Sequence, residues 1–323
     1  MSLRVGFLGT GNIAARHAAA AKALGLTPVS ACGRDATHAA EFAAKFGLKP
    51  YVDFERFIGE SGLDLLVVAL PPFAHAGQVE TAAGAGINLL VEKPIALDLG
   101  RARAMVDASR NVVAACGFMY RFGDAVERWA ELSAEGSTGR VGHFAGCFHS
   151  NALHAPWWRD AAKSGGQMVE QLIHIVDLAR INLGLPQTVY ARTGTVFHGG
   201  IADYTAEDAS AMILGYDDGR VGILHASNGA VPGRWMKSWQ VVAPQATGLF
   251  SDWNTVEIVR TSPEVVSEKI AGTADPFVKQ LADVAAAITD KRAPRVPLQD
   301  GYDALRIVLA AQRAAAERRE IAL

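Results

Sequence analysis

Short apolar runs alternate with longer amphipathic stretches through the first third of the chain. Residues 4–8, 28–32, 63–70, 86–91 and 111–116 are mostly Val, Leu, Ile, Ala and Phe, and Gly, Pro or Asp bounds them, which predicts strands buried on both faces. Between them, 13–24, 36–46, 74–85 and 100–110 carry Ala, Leu and charged residues at helical spacing. This alternation is the pattern of a doubly wound parallel sheet. From residue 141 the style changes. Runs at 143–150, 188–197, 210–216, 221–226 and 238–242, with more strand as far as 260, alternate apolar and polar positions. Asp217-Asp218-Gly219 is a hairpin signal, so the strands flanking it are antiparallel. A helix over 166–183 interrupts the strands, and helices over 276–289 and 299–317, divided by Pro294 and Pro297, close the chain. The expected fold is an α/β doubly wound domain over 1–118 followed by an α+β domain over 119–323 with an open, mostly antiparallel sheet.

Composition agrees and excludes several classes. A chain of 323 residues, half apolar and a fifth charged, suits two soluble domains. The net charge of -2 gives no electrostatic case for nucleic acid or an anionic membrane. The apolar runs are too short to span a bilayer, and no secretory signal is visible, because a strand and its glycine turn already occupy residues 4–9. Cys32, Cys116 and Cys147 stand far apart without metal-ligand spacing. They are expected to act as small buried apolar groups in a reduced, cytoplasmic setting, and no metal is expected.

The chemistry starts at Gly9-Thr10-Gly11-Asn12-Ile13-Ala14, a G-x-G-x-x-A run between a strand and a helix. Its first glycine permits a tight turn, its second lets backbone approach a pyrophosphate, and Ala14 allows close helix-strand packing. These are the marks of a Rossmann dinucleotide site. The second strand ends at Gly33-Arg34-Asp35. A small residue followed by Arg suits a 2′-phosphate by charge and by stacking, with Asp35 as a helix N-cap, so NADP is favoured over NAD. Leu70-Pro71-Pro72 ends the next strand where ribose or pyrophosphate would lie, and His75 either touches the cofactor or caps a turn. Val91-Glu92-Lys93-Pro94 then sets a charged pair at the mouth of a buried strand, on the sheet edge where α/β folds bind ligands.

In the second half, Glu170, His174 and Asp177 are spaced by four and three and share one face of the predicted helix. A histidine held beside carboxylates suits proton exchange with a hydroxyl. His154-Ala155-Pro156-Trp157-Trp158-Arg159 precedes it. The tryptophans read either as a wall for a polyol or as packing, and Arg159 as a substrate contact. Asp283, Lys291, Arg313 and Arg318 read as solvated faces.

In these pieces the chain resembles the Gfo/Idh/MocA family of nicotinamide-dependent oxidoreductases. They are the glycine turn, Pro71-Pro72 with His75, Glu92-Lys93-Pro94, Gly117-Phe118-Met119-Tyr120-Arg121-Phe122 as the crossing between domains, Gly165-Gly166, and His174-Ile175-Val176-Asp177. The resemblance runs over essentially the whole chain. It implies a dehydrogenase for the secondary alcohol or ketone of a sugar, cyclitol or derivative, assembled as a homodimer or homotetramer. His174 would exchange the proton, Lys93 would hydrogen-bond the reacting oxygen, and Glu170 would orient substrate. Tyr120, Trp158, Arg159 and Asp177 would lie at the substrate, and Glu92 behind Lys93 or the cofactor. The family usually has aspartate where this chain has Glu170 and often glycine where it has Leu172, which leaves the substrate open. Some relatives hydrolyse glycosides through transient oxidation, and a non-catalytic NAD(P)-binding sensor is the other alternative. An intact Lys93 and His174 argue against the sensor.

Overall fold

The structure, a computed structural model, describes residues 2–323. It divides into two compact units. One takes the chain as far as Met119 together with Asp275–Tyr302, and the other comprises Tyr120–Ala274 and Asp303–Leu323.

The first unit is built on six strands, β1 (Arg4–Leu8), β2 (Thr27–Cys32), β3 (Lys49–Tyr51), β4 (Leu65–Val68), β5 (Asn88–Val91) and β6 (Ala114–Cys116). All are parallel, in the order β3-β2-β1-β4-β5-β6. The order reverses between β1 and β4, the switch point at which such sheets take ligands. The central strand β4, Leu-Leu-Val-Val, is wholly buried, as a strand covered by helices on both faces must be. Asp35, Asp53 and Asp98 cap helices Ala36–Phe46, Phe54–Ser61 and Leu99–Ala108 by accepting from backbone N–H groups. β3 and helix Phe54–Ser61 were not predicted. The strand has three residues with proline at its centre, too little to show a period.

The second domain, expected over 119–323, is corrected at its tail. Helix Pro276–Asp290 belongs to the first unit, against helix Asn12–Ala23. Phe277 meets His17 edge-on at 5.1 Å and lies under the Arg16 guanidinium. Gln280 donates to the Cys116 carbonyl at 3.2 Å, and Pro297 bridges to Ala115 beside the last strand. Asp283, read as solvated, is buried and accepts from the Arg292 guanidinium and the Arg295 N–H, each at 2.8 Å.

The second unit holds one nine-stranded sheet. Its strands are β7 (His143–His149), β8 (Thr188–Gly194), β9 (Ala209–Gly215), β10 (Val221–Ser227), β11 (Met236–Ala243), β12 (Ala246–Phe250), β13 (Thr255–Arg260), β14 (Val266–Ala271) and β15 (Ile321–Ala322). The order is β14-β13-β12-β11-β7-β10-β9-β8-β15, and only β7 and β10 pair in parallel. Alternate residues point inward, among them Phe144, Phe148, Met212, Leu214, Leu224, Trp239 and Val241. Helix Ile173–Leu183 covers this face so closely that a Cβ on Gly146 would come within 2.6 Å of Ile175. The opposite face shows Ile213, Ile223, Met236, Val242 and Leu249 to the outside. Cys32 and Cys116 are buried as expected, but Cys147 lies half-exposed on this outer face. No helix among the described residues is long and apolar enough to cross a membrane.

Candidate functional site

In the first unit the glycine turn joins β1 to helix Asn12–Ala23. Gly9 has φ of +103°, and a Cβ there would lie 2.4 Å from the Ala69 carbonyl oxygen, so only glycine passes. Gly11 is the N-cap, with open space where its Cβ would be and no side chain capping the helix. The first N–H groups and the positive end of the helix dipole therefore face outward, and no acidic residue sits in the first turn to repel an anion. Asn12 and Ile13 are exposed beside them, and Thr10 packs against Gly33, where a Cβ would meet it at 3.0 Å. This is a cradle that fits a dinucleotide pyrophosphate.

At the tip of β2, Arg34 is exposed and makes no hydrogen bond or ion pair with another described residue. Asp35 accepts from the His38 N–H at 2.9 Å and lies 3.1 Å from the His38 ring, so its carboxylate is occupied. After β4, Leu70 and Pro71 lead into a 3₁₀ turn at Pro72–Ala74, and His75 ends it. The expected helix over 74–85 starts later, at Gln78. His75 is buried with neither ring nitrogen partnered among the described residues. Burial, helped by Arg101, pushes its pKa down to about 4, so it is a neutral imidazole. A neutral, buried and unmatched ring fits a cofactor contact better than a turn cap.

At the exit of β5, Glu92 is buried. One carboxylate oxygen lies 2.7 Å from His17 Nε2, which donates to it, and the other accepts from the Lys93 N–H at 3.2 Å. Gly117 on the neighbouring strand exit leaves room for this carboxylate, since a Cβ there would meet it at 2.6 Å. Glu92 thus supports the backbone of Lys93 and faces into the unit. His17 had no signal in sequence beyond being the one ring in an alanine-rich helix.

In the second unit the expected helix over 166–183 is not uniform. A π turn, Met168–Leu172, precedes the α-helix Ile173–Leu183, so four residues no longer make one regular turn there. Gly165 and Gly166 enter it with φ of +77° and +84°. A Cβ on Gly166 would fall 1.9 Å from Glu207, whose carboxylate accepts from the Met168 N–H at 2.7 Å. Glu170 accepts from the Trp158 indole N–H at 3.1 Å. The Tyr120 ring lies flat against His174, centroids 4.3 Å apart and planes 13° apart, and burial pushes the Tyr120 phenol well above its ordinary pKa. The face of a neutral aromatic ring therefore lies against the His174 imidazole.

The structure gives three of the expected substrate contacts partners within the protein. Asp177 is buried and accepts from the Arg121 guanidinium at both oxygens and from Arg180 at 3.3 Å. Trp158 packs with Tyr204 and Ala206 in a small core, and Trp157 covers it. Arg159 donates twice to the Leu153 carbonyl, at 2.7 and 3.1 Å, and so fixes the loop before the helix. No local pattern signals the network beneath that loop. Asn228 accepts from Ser150 and from the Ala152 N–H, donates to the Ala152 carbonyl and to Tyr204, and is fully buried. Gln167 donates to Gln171, whose amide oxygen lies 3.3 Å from the Ser150 hydroxyl and whose amide nitrogen meets His154.

Burial raises Glu207 from 4.5 to about 7. The folded carboxyl then binds a proton more tightly than the unfolded one, so this group lowers stability as pH rises through that window. Glu207→Gln keeps an acceptor for Met168. It should flatten that decline and stabilise the protein at pH 8 by about 1–2 kcal/mol, with little change at pH 5. Denaturant melts of both proteins at the two pH values check this, and an equal decline in both would contradict it.

Residues 3–118 match the family described as "Oxidoreductase family, NAD-binding Rossmann fold", and 126–247 match "GFO/IDH/MocA C-terminal domain". The chain is 24% identical to a D-xylose 1-dehydrogenase (NADP(+)) of Haloferax volcanii over 94% of each chain. It is 27% identical to an inositol 2-dehydrogenase of Rhizobium meliloti over the full length of both. Among solved structures, a levoglucosan dehydrogenase in complex with NADH and levoglucosan has the same fold. Its TM-score is 0.92 at 21% identity, covering 100% of this chain and 99% of that one.

Proposed function

Because this chain belongs to the Gfo/Idh/MocA family and is an NAD(P)-dependent oxidoreductase, we propose that it interconverts a secondary alcohol and a ketone on a sugar, cyclitol or derivative. The observation that carries the reading is the held imidazole of His174 on Tyr120, in a chain whose full-length relatives are named for oxidising a sugar and a cyclitol. In the oxidising direction His174 accepts the hydroxyl proton, and the reverse reaction returns it. Lys93 donates a hydrogen bond to the reacting oxygen and stabilises its developing negative charge. Glu170, steadied by Trp158, orients the substrate and the imidazole. The nicotinamide, when bound, supplies the hydride acceptor or donor. Gly9, Gly11 and the start of helix Asn12–Ala23 receive the pyrophosphate, with His75 beside the cofactor.

NADP is the favoured form, because Arg34 is available to a 2′-phosphate and the nearby Asp35 is occupied. Arg34→Ala should weaken NADP binding by roughly tenfold and NAD binding by less than about twofold, as titrated by nicotinamide fluorescence. Equal losses would remove the assignment. A second copy of the chain is proposed to cover the apolar outer face of the nine-stranded sheet, which sedimentation velocity at micromolar concentration tests. The deciding experiment for the activity is a panel of sugars and cyclitols with both cofactors, following nicotinamide absorbance. Oxidation of a member of the panel supports the reading. Glycoside cleavage with no net absorbance change would replace it with hydrolysis through transient oxidation.

A further inference from the structure

On the outer face of the nine-stranded sheet, period-two alternation sets Cys147 and His149 side by side along β7. The parallel register of β10 brings His225 directly opposite Cys147. The Cys147 sulfur and one nitrogen from each ring lie within 4.8 Å of one another. His149 Nε2 and His225 Nδ1 are 3.2 Å apart. Two nitrogens on one tetrahedral zinc stand about 3.3 Å apart, since each Zn–N bond is about 2.05 Å. The two imidazoles therefore already have the spacing of ligands to a shared ion. On the third strand, Ser238 lies opposite Cys147 in register, with its hydroxyl 3.3 Å from the sulfur.

We propose that Cys147, His149 and His225 form a binding site for a borderline-soft divalent cation of the zinc type, separate from the dehydrogenase chemistry and independent of that reading. The donor set, one sulfur and two imidazole nitrogens, suits Zn²⁺ and its spectroscopic substitute Co²⁺ and disfavours Mg²⁺ and Ca²⁺, which take oxygen. Three protein ligands leave one coordination position, open to water in a single chain and on the face that the second copy proposed above would cover. Binding forms the metal–sulfur bond as the Cys147 thiol releases its proton to solvent, with no redox change. No carboxylate is part of the cluster, which further separates it from an oxygen-ligand site. In sequence the cluster could not be seen, because His149 and His225 stand 76 residues apart and meet through the parallel pairing of β7 with β10.

Metal-free full-length protein is titrated with Co²⁺ near neutral pH. The expected result is a thiolate-to-cobalt charge-transfer band saturating at one equivalent per chain and displaced by Zn²⁺. Cys32 and Cys116 are buried and cannot give that band, so Cys147→Ser should abolish it. His225→Ala should weaken the apparent affinity by more than about tenfold, because losing a ligand costs more than losing an outer-sphere partner. Circular dichroism and dinucleotide binding report whether the variants are folded. Absence of a thiolate band in the unaltered protein would overturn the proposal even if neither variant folds. So would an undiminished band in folded Cys147→Ser.

Discussion

Lys93→Met should lower kcat by about 10²–10³-fold while leaving dinucleotide affinity within a few-fold. Methionine keeps most of the length and apolar volume of the lysine stem and removes only its charge and its donors. The backbone at this position is anchored from behind, where Glu92 accepts the residue's own N–H and His17 fixes Glu92, and neither contact uses the lysine head. The loss should therefore fall on the chemical step and not on the fold of the strand exit. Steady-state kinetics with the best substrate of the panel, beside a dinucleotide titration, measures both quantities. Turnover retained within a few-fold would remove Lys93 from the reaction.

His174→Asn should cost about 10²–10⁴-fold in kcat/KM, the usual range for a general base. A structural role for the ring would give a similar fall in rate, so the discriminating readout is the pH profile. With His174 as base, alcohol oxidation by the native enzyme declines at low pH as the imidazole becomes protonated and can no longer accept. In the variant that acidic limb should vanish from the residual rate. The Tyr120 ring against His174 is a test within the test, because Tyr120→Leu removes the stacking partner without removing the base. It should keep the acidic limb while lowering the rate. Persistence of the limb in His174→Asn would move the base to another residue.

Much of the first unit was legible because its information is local. A glycine turn, a proline pair and fully apolar strands announce their conformation within a few residues, and Asp35 capped its helix as its position predicted. In the second unit the alternation of β7 to β11 and the Asp217-Asp218-Gly219 hairpin were equally plain. Contacts between distant segments were not. Arg121 reaches Asp177, and Asn228 reaches Ser150 and Ala152, across separations that no periodicity encodes. Asp177 shared a helical face with His174 and so read as a site residue, but the buried face of a helix and its functional face can hold the same polar types. The π turn was invisible for another reason. Its contacts run to distant Glu207, and the residues within it have ordinary helical propensity. Trp158 shows the same ambiguity from the other side, since its apolar body suits a core and its N–H suits a site carboxylate.

The return of Asp275–Tyr302 to the first unit sets an order on biosynthesis. A ribosome releases the six strands of that unit early, yet the helix that covers His17 and Arg16 is not made until eight of the nine strands of the second sheet have emerged. During that interval the inner face of helix Asn12–Ala23 has no Phe277 against it. The first unit therefore reaches its final packing only when synthesis is nearly complete. A fragment ending at residue 118 would carry the entire nucleotide fingerprint and still lack part of its own core.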